Sequence, residues 1–339
     1  MKNQTPFSVV LTDHVWRDLS IETGLFAPFG ISMTAAHCKT EDDIIRIAAG
    51  ADAICAIHAP VSRKVVKSLT QCKVISMSSV GYNSIDVDAV TDAGILLVHC
   101  PDYCIEEVAN HTLALIMSCA RGLFLFDRRI KDQMWEYQSA GILTRVSTAT
   151  LGLIGFGKIA RDVALRARGF QMDVQAFDPH AGDSIFEQNG VTRVSLEELL
   201  STSDFVSIHA PLNETTKNMI SGPQLTMMKS SAFLINTSRG RIIDEEALVS
   251  ALTDGTIRGA AIDALSEEPP DFSSPLFNLG NVFFTPHAAF YSEEAVEEVR
   301  TRSANAITDV YNGIIPDHSV NRDVLTNGKL RMVVNASSL

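Results

Sequence analysis

The stretch from Ala149 to Asp178 constrains this chain more than any other, because it reads as strand, glycine turn, helix and a second strand ending in an acid. Leu151, Leu153 and Ile154 make a short buried strand. Gly155, Phe156, Gly157, Lys158, Ile159 and Ala160 then follow in the order G-x-G-x-x-A, where that strand turns into a helix. Gly155 permits the sharp turn, Gly157 presents no Cβ to an approaching pyrophosphate, and Ala160 is small enough for helix and strand to pack closely. The N–H groups that open the helix face two phosphates, and the helix dipole favours their charge. Asp178 stands 18 residues beyond Ala160, at the end of the strand Val174 to Phe177, where its carboxylate can accept from both ribose hydroxyls. The pattern predicts a dinucleotide cradle with Gly155, Phe156, Gly157, Lys158, Ile159 and Asp178 on the cofactor. It predicts NAD over NADP, since Asp178 repels a 2′-phosphate and Pro179, His180 and Ala181 offer no arginine to hold one.

At 339 residues the chain is long enough for two domains, each with its own core, and a hydrophobic fraction of 46% suits a globular fold. A net charge of −12 argues against nucleic acid or an anionic membrane as a partner, because both call for basic surface. The first residues lack the apolar core of a signal peptide, and no apolar run approaches the roughly 18 residues of a membrane span. A cytoplasmic protein is expected. All six cysteines (Cys38, Cys55, Cys72, Cys100, Cys104 and Cys119) fall in the first 119 residues, and none is spaced as CxxC, so buried reduced thiols are expected and no metal site.

Five short apolar segments open the chain: Phe7 to Leu11, Ile31 to Ala35, Ala53 to Ile57, Val74 to Met77 and Ile95 to Val98. Helical stretches capped by Thr40 and Ser62, and a third over Ile85 to Ala93, separate them. Strands alternating with helices imply a parallel sheet covered on both faces. Pro101 marks a break, and the apolar helix Ile105 to Arg121 that follows ends at Gly122. Residues 124–148 mix Phe124, Phe126, Ile130, Met134, Trp135 and Tyr137 with charges, which reads either as an amphipathic surface helix or as a subunit-contact arm. Beyond the cradle come strands Phe205 to Ile208, Ala232 to Ile235, Ala260 to Ile262 and Val282 to Phe284, then a long helix, Glu293 to Tyr311, capped by Ser292. The expected architecture is α/β: two doubly wound parallel-sheet domains with a cleft between them. Residues 1–100 with 291–330 form the substrate domain, and 101–290 the NAD-binding domain.

In doubly wound sheets ligands bind beyond the carboxyl ends of the strands. Four loops there hold suitable groups. Ser79 to Asn83 offers Gly81 and backbone N–H groups to a carboxylate. Arg239, in Asn236 to Gly240, can clamp a planar carboxylate with two parallel hydrogen bonds. Glu268 and His287 follow neighbouring strands, and a glutamate beside an imidazole favours its charged form, fixes its tautomer and makes a proton-transfer pair. The remaining histidines, including His111 and the strand-terminal His209, read as structural. A nicotinamide that gives or takes hydride, an arginine on a carboxylate and a histidine that balances the proton describe reversible 2-oxo acid to 2-hydroxy acid chemistry.

These motifs, in this order and spacing, resemble the D-isomer-specific 2-hydroxyacid dehydrogenases over roughly residues 5–325. SVGYNSIDVDA resembles the family's substrate loop, GLIGFGKIA its nucleotide turn and NTSRGRIIDEEAL its arginine motif, while AIDALSEEPP carries its glutamate and TPHAAFYSEEA its histidine. The resemblance implies that Arg239, Glu268 and His287 are catalytic. It implies that Val80, Gly81 and Phe290 meet substrate, that Val80, Ala210, Thr237 and Asp263 line the cofactor, and that the chain pairs as a homodimer. PHAAFYSEEA and the ALSEEPP run are most similar to the C-terminal-binding-protein-like branch, although Phe290 replaces that branch's tryptophan and Asn110 a common acid. Two functions follow: an NAD-dependent reductase of a small 2-oxo acid, or an NAD-sensing scaffold with little turnover. The short segment after Asn321 favours the first.

Overall fold

Runs of aliphatic residues without polar alternation need apolar cover on both faces, and the chain supplies it by alternating short strands with amphipathic helices. The computed structural model describes residues 6–335, which divide into two compact units. The first, up to Tyr103, contains β1 (Ser8–Leu11), α1 (Ser20–Phe26), β2 (Ser32–Ala35), α2 (Glu41–Ala48), β3 (Ala53–Ala56), α3 (Arg63–Ser68), β4 (Val74–Met77), α4 (Val87–Asp92) and β5 (Leu96–Val98). Its five strands are parallel in the order β2-β1-β3-β4-β5. Thr40 closes a capping box with Asp43, and Ser62 accepts from the Lys64 N–H, so both expected helix starts are present. α4 begins after Asp86, whose carboxylate takes the Ala89 N–H, two residues later than the apolar pattern suggested.

The second unit, Cys104–Tyr291, holds α5 (Ile105–Arg121), α6 (Leu123–Lys131), β6 (Thr150–Ile154), α7 (Lys158–Ala167), β7 (Asp173–Phe177), α8 (Asp183–Asn189) and β8 (Thr192–Arg193). It continues with α9 (Leu196–Thr202), β9 (Phe205–Ile208), α10 (Gly222–Met227), β10 (Phe233–Asn236), α11 (Glu245–Thr253), β11 (Gly259–Ile262) and β12 (Val282–Phe284). Seven parallel strands run β12-β11-β10-β9-β6-β7-β8, and the order reverses between β6 and β9. One face of this sheet packs on α5 and α7 through Ala109, Leu113, Ile116, Ala160, Val163 and Ala164. α12 (Glu293–Tyr311), capped by Ser292, belongs to the first unit. There the Arg300 guanidinium grips the Glu22 carboxylate at 2.8 and 2.7 Å, and Ser303 Oγ meets Ser78 Oγ at 2.8 Å.

Three local features depart from or lie outside the apolar pattern. Residues 124–148 are not one helix: α6 stops where Gln133 turns left-handed (φ 64°) and Met134 N–H reaches back to the Arg129 carbonyl, and two single 3-10 turns follow. The pair α8 and β8 carries little apolar patterning, because β8 is a two-residue exposed edge. α10 lies in a stretch the apolar pattern did not mark. Among the described residues no single helix is long and apolar enough to cross a membrane; α5 and α6 together would be, but they bend by 61°.

Candidate active site

At the end of β6, Gly155 takes φ 88°, a left-handed value that glycine adopts without strain, and an added Cβ would lie 2.8 Å from the Ala210 nitrogen. Gly157 then opens α7 with no side-chain cap, and a Cβ there would meet nothing within 4 Å. Space therefore stands over the N–H groups of the helix start, while Ala160 is fully buried against the sheet. A pyrophosphate fits such a cradle. Phe156 leaves only its backbone toward the turn, since its ring is buried and stacked on Phe186 at 4.8 Å. Lys158 is exposed at the helix start and Ile159 half-buried.

Asp178, after β7, is drawn into the same turn. Its Oδ2 accepts the Phe156 N–H at 2.8 Å, and Oδ1 accepts the N–H groups of His180 and Ala181 at 2.8 and 3.2 Å. The carboxylate is thus fixed beside the glycine turn with lone pairs left for hydroxyl donors. Arg193, in β8, donates from Nη2 to the Asp178 carbonyl at 3.3 Å and pairs with Asp183 through Nη1. Reading only the three residues after Asp178 overlooked it.

Asn236, Ile262 and Phe284 close three adjacent parallel strands in register, so the loops after β10, β11 and β12 leave the sheet side by side. They are interlocked. The Asn236 amide donates to the Arg239 and Ala264 carbonyls at 3.0 and 3.4 Å, and Asp263 N–H donates to the Asn236 carbonyl at 2.9 Å. Arg239, half-buried, donates from Nη1 to the Ser238 carbonyl at 2.7 Å. His287 Nδ1 lies 2.6 Å from Glu268 Oε2, and Glu268 Oε1 accepts the Leu265 N–H at 3.0 Å. Both side chains are about one-third exposed, at 32% and 36%, so the pair is reachable from solvent while held by the loop. The bond to the carboxylate fixes the orientation of the imidazole ring.

Of the residues implied for the cofactor, Ala210 is buried and its carbonyl accepts from Ser238 Oγ at 2.6 Å. Thr237 Oγ1 is 2.9 Å from Thr112 Oγ1 on α5. Asp263 is a clamp: its side chain is 1% exposed, with Thr285 Oγ1 at 2.5 Å and the N–H groups of Ala288 and Ala289 at 2.8 and 3.1 Å. In the first unit Val80 and Gly81 form a half-buried loop, where the Val80 carbonyl lies 2.8 Å from His99 Nδ1 and the Gly81 carbonyl accepts from Ser79 Oγ at 2.7 Å. Phe290 is half-buried, edge-on to Tyr291 at 6.4 Å.

The set-aside histidines divide. His209 sits at the reversal of strand order with its ring on Ser207 Oγ at 2.9 Å, and burial pushes its pKa down to about 4, which makes it a poor proton carrier near neutrality. His111, read from the sequence as structural, lies close to the histidine loop. Its Nε2 is 3.0 Å from Thr285 Oγ1, inside the histidine loop, a contact across 174 residues that no local pattern reveals. Asn110, beside it, accepts from Arg166 Nε at 2.9 Å. An amide oxygen thus meets the guanidinium where an acid would make an ion pair. Among the described residues no group of three His, Cys, Asp or Glu is placed to hold a metal ion, and all six cysteines are buried and outside any disulfide.

A doubly wound sheet with this turn and acid defines a dinucleotide-binding protein. The family profile described as D-isomer specific 2-hydroxyacid dehydrogenase, NAD binding domain, matches residues 113–289, and the chain belongs to that family, whose members are NAD-dependent oxidoreductases acting on CH–OH groups. It is 36% identical over 269 residues to a glyoxylate reductase of Korarchaeum cryptofilum, covering 78% of this chain and 81% of that protein. It is also 36% identical over 272 residues to a D-3-phosphoglycerate dehydrogenase of Methanocaldococcus jannaschii, covering 80% of this chain but only 51%, about half, of that relative's length. Among solved structures, D-lactate dehydrogenase from Aquifex aeolicus, complexed with NAD and lactic acid, matches with a TM-score of 0.82 at 26% identity, over 94% of this chain and 97% of that one.

Proposed function

We propose that this chain is a reductase of small 2-oxo acids to D-2-hydroxy acids, with His287 as general acid/base, Glu268 tuning it and Arg239 holding the substrate carboxylate. The observation that carries the reading is the 2.6 Å contact between His287 Nδ1 and Glu268 Oε2. His287, oriented by that bond, would give a proton to the carbonyl oxygen in reduction and take it back in oxidation. The carboxylate fixes the orientation of the ring through that bond. Arg239 would bind the carboxylate through two N–H groups and withdraw electron density from the adjacent C=O. Bound NADH supplies the hydride that the proton from His287 balances.

The cradle favours NAD over NADP through Asp178, and Val80, Gly81 and Phe290 are assigned to the substrate. Residues 1–100 with 291–330 would serve substrate and 101–290 the cofactor. Subunits would pair through the segment after Gly122, where Leu123, Trp135, Tyr137 and Ile142 are 54%, 89%, 81% and 84% exposed. The PHAAFYSEEA run supports placement in the C-terminal-binding-protein-like branch, and a small soluble substrate supports a cytoplasmic setting. The test is NADH oxidation with glyoxylate, hydroxypyruvate, pyruvate and phenylpyruvate, followed by His287→Ala. At least one oxo acid should turn over, and the variant should lose about 100-fold in kcat while still binding NADH. Tight NADH binding with trace turnover of all four would instead identify an NAD-sensing scaffold.

A further inference from the structure

We propose that His111 is a positioning residue that holds the proton-transfer loop in place through Thr285 and Asp263. The inference rests on reading His287 as the acid/base. His111 projects from α5, and its Nε2 lies 3.0 Å from Thr285 Oγ1 and 3.6 Å from Asp263 Oδ1. Thr285 Oγ1 is in turn 2.5 Å from Asp263 Oδ1. A carboxylate has no proton to offer, so the threonine hydroxyl donates to Asp263 and its oxygen must accept from His111. This order fixes the tautomer: His111 carries its proton on Nε2, and the chain runs His111 to Thr285 to Asp263.

Asp263 gathers the loop at the other end of that chain. Its carboxylate takes the N–H groups of Ala288 and Ala289, and its carbonyl takes the N–H of His287 at 2.9 Å. Every backbone N–H from His287 to Ala289 therefore reaches Asp263, that of His287 being shared with the Thr285 carbonyl at 3.1 Å. His287 itself has φ 51°, a left-handed value that costs a side-chain-bearing residue on the order of 1 kcal/mol and persists only where its surroundings over-determine it. The wrap around Asp263 supplies that determination. His111 anchors it to a helix outside the loop, and its neighbour Thr112 makes the matching contact to Thr237 in the arginine loop. Two consecutive residues of α5 thus brace two of the three loops that carry Arg239, Glu268 and His287.

The experiment compares His111→Ala, His111→Gln, Thr285→Val and Thr285→Ser in the full chain, with NADH and whichever of the four oxo acids turns over fastest. His111→Ala should lower kcat about tenfold, as expected for a displaced proton donor, while KM for the oxo acid and NADH affinity by fluorescence titration stay within about twofold. His111→Gln, whose amide can donate to Thr285, should recover most of the loss. Thr285→Ser should retain kcat and Thr285→Val should lose it, which decides the matter even if His111→Ala does not fold. Wild-type kcat in His111→Ala, no rescue by glutamine, or NADH affinity falling in step with kcat would each overturn the proposal. His287→Ala, run alongside, separates the two levels. Turnover surviving it overturns the acid/base reading, whereas an inactive His287→Ala beside a fully active His111→Ala overturns the positioning role alone.

Discussion

Gly240 and Leu265 touch backbone to backbone: a Cβ on Gly240 would sit 1.9 Å from the Leu265 carbonyl carbon and 2.3 Å from the Ser266 nitrogen. The loop that carries Arg239 is therefore seated on the loop that carries Glu268. No rotamer relieves such a clash, because the obstructing atoms are main chain. Gly240→Ala should cost about 3 kcal/mol of stability and should lower activity beyond what lost folding explains. A thermal melt and a rate per folded molecule measure the two effects, and unchanged values in both would show that the loops are not seated on one another.

Gly157 predicts the opposite pattern. Its φ of −73° suits any residue, and its Cβ position is open, so Gly157→Ala should fold normally. The new methyl group would occupy space the cradle reserves for a pyrophosphate, and NADH should bind about tenfold more weakly, a change of about 1.4 kcal/mol. Fluorescence titration of NADH reads this directly. Undiminished affinity would place the phosphates elsewhere.

Removal of Asp178 should relax cofactor choice. The carboxylate that would repel a 2′-phosphate is lost, while the Arg193 guanidinium, 3.3 Å from the Asp178 carbonyl, stays near. The preference for NADH over NADPH in kcat/KM should fall by at least about tenfold in Asp178→Ala. Asp178→Asn should keep the Phe156 N–H bond and shift preference with less damage to overall affinity. Identical discrimination in all three proteins would remove Asp178 from the ribose.

The parts legible in the sequence were those in which one residue type answers a local demand. Gly155 and Gly157 mark the turn, Thr40 and Ser62 cap helices, and the apolar runs of β4 and β9 announce strands buried on both faces. Contacts set by topology were not legible. His111 and Thr285 meet only because α5 packs across the sheet near the ends of β11 and β12, and Arg193 reaches Asp178 only because β8 pairs with β7. Short polar elements such as β8 also escape, since an exposed edge strand has no face to bury.

Cysteine reactivity supplies a further check. Burial raises the thiol pKa of Cys55 to about 11 and of Cys72, Cys100 and Cys119 to about 12. At pH 8 hardly any of these groups is thiolate, and the thiolate is the form that alkylates. Mass spectrometry after iodoacetamide should find them unmodified in the native protein on a timescale that labels the unfolded chain fully. Rapid native labelling of Cys72 or Cys119 would contradict their burial.

His209 sets a pH dependence whose sign can be worked out. Its pKa lies at about 4 in the folded protein, against 6.5 for an ordinary histidine, because burial penalises the charged ring. Above pH 6.5 both folded and unfolded states hold it neutral, and its contribution to stability is complete. As pH falls from 6.5 toward 4 the unfolded chain binds a proton that the folded one refuses, so stability drops, by on the order of 3 kcal/mol across that window. His99, whose pKa burial also lowers, adds in the same direction, so the histidine must be isolated by difference. Melting temperatures of the wild type and of His209→Gln, taken from pH 7 to pH 4.5, provide that difference. The wild type should lose stability more steeply than the variant, which has no ring to protonate, and parallel curves would mean that His209 is solvated enough to titrate in the native state.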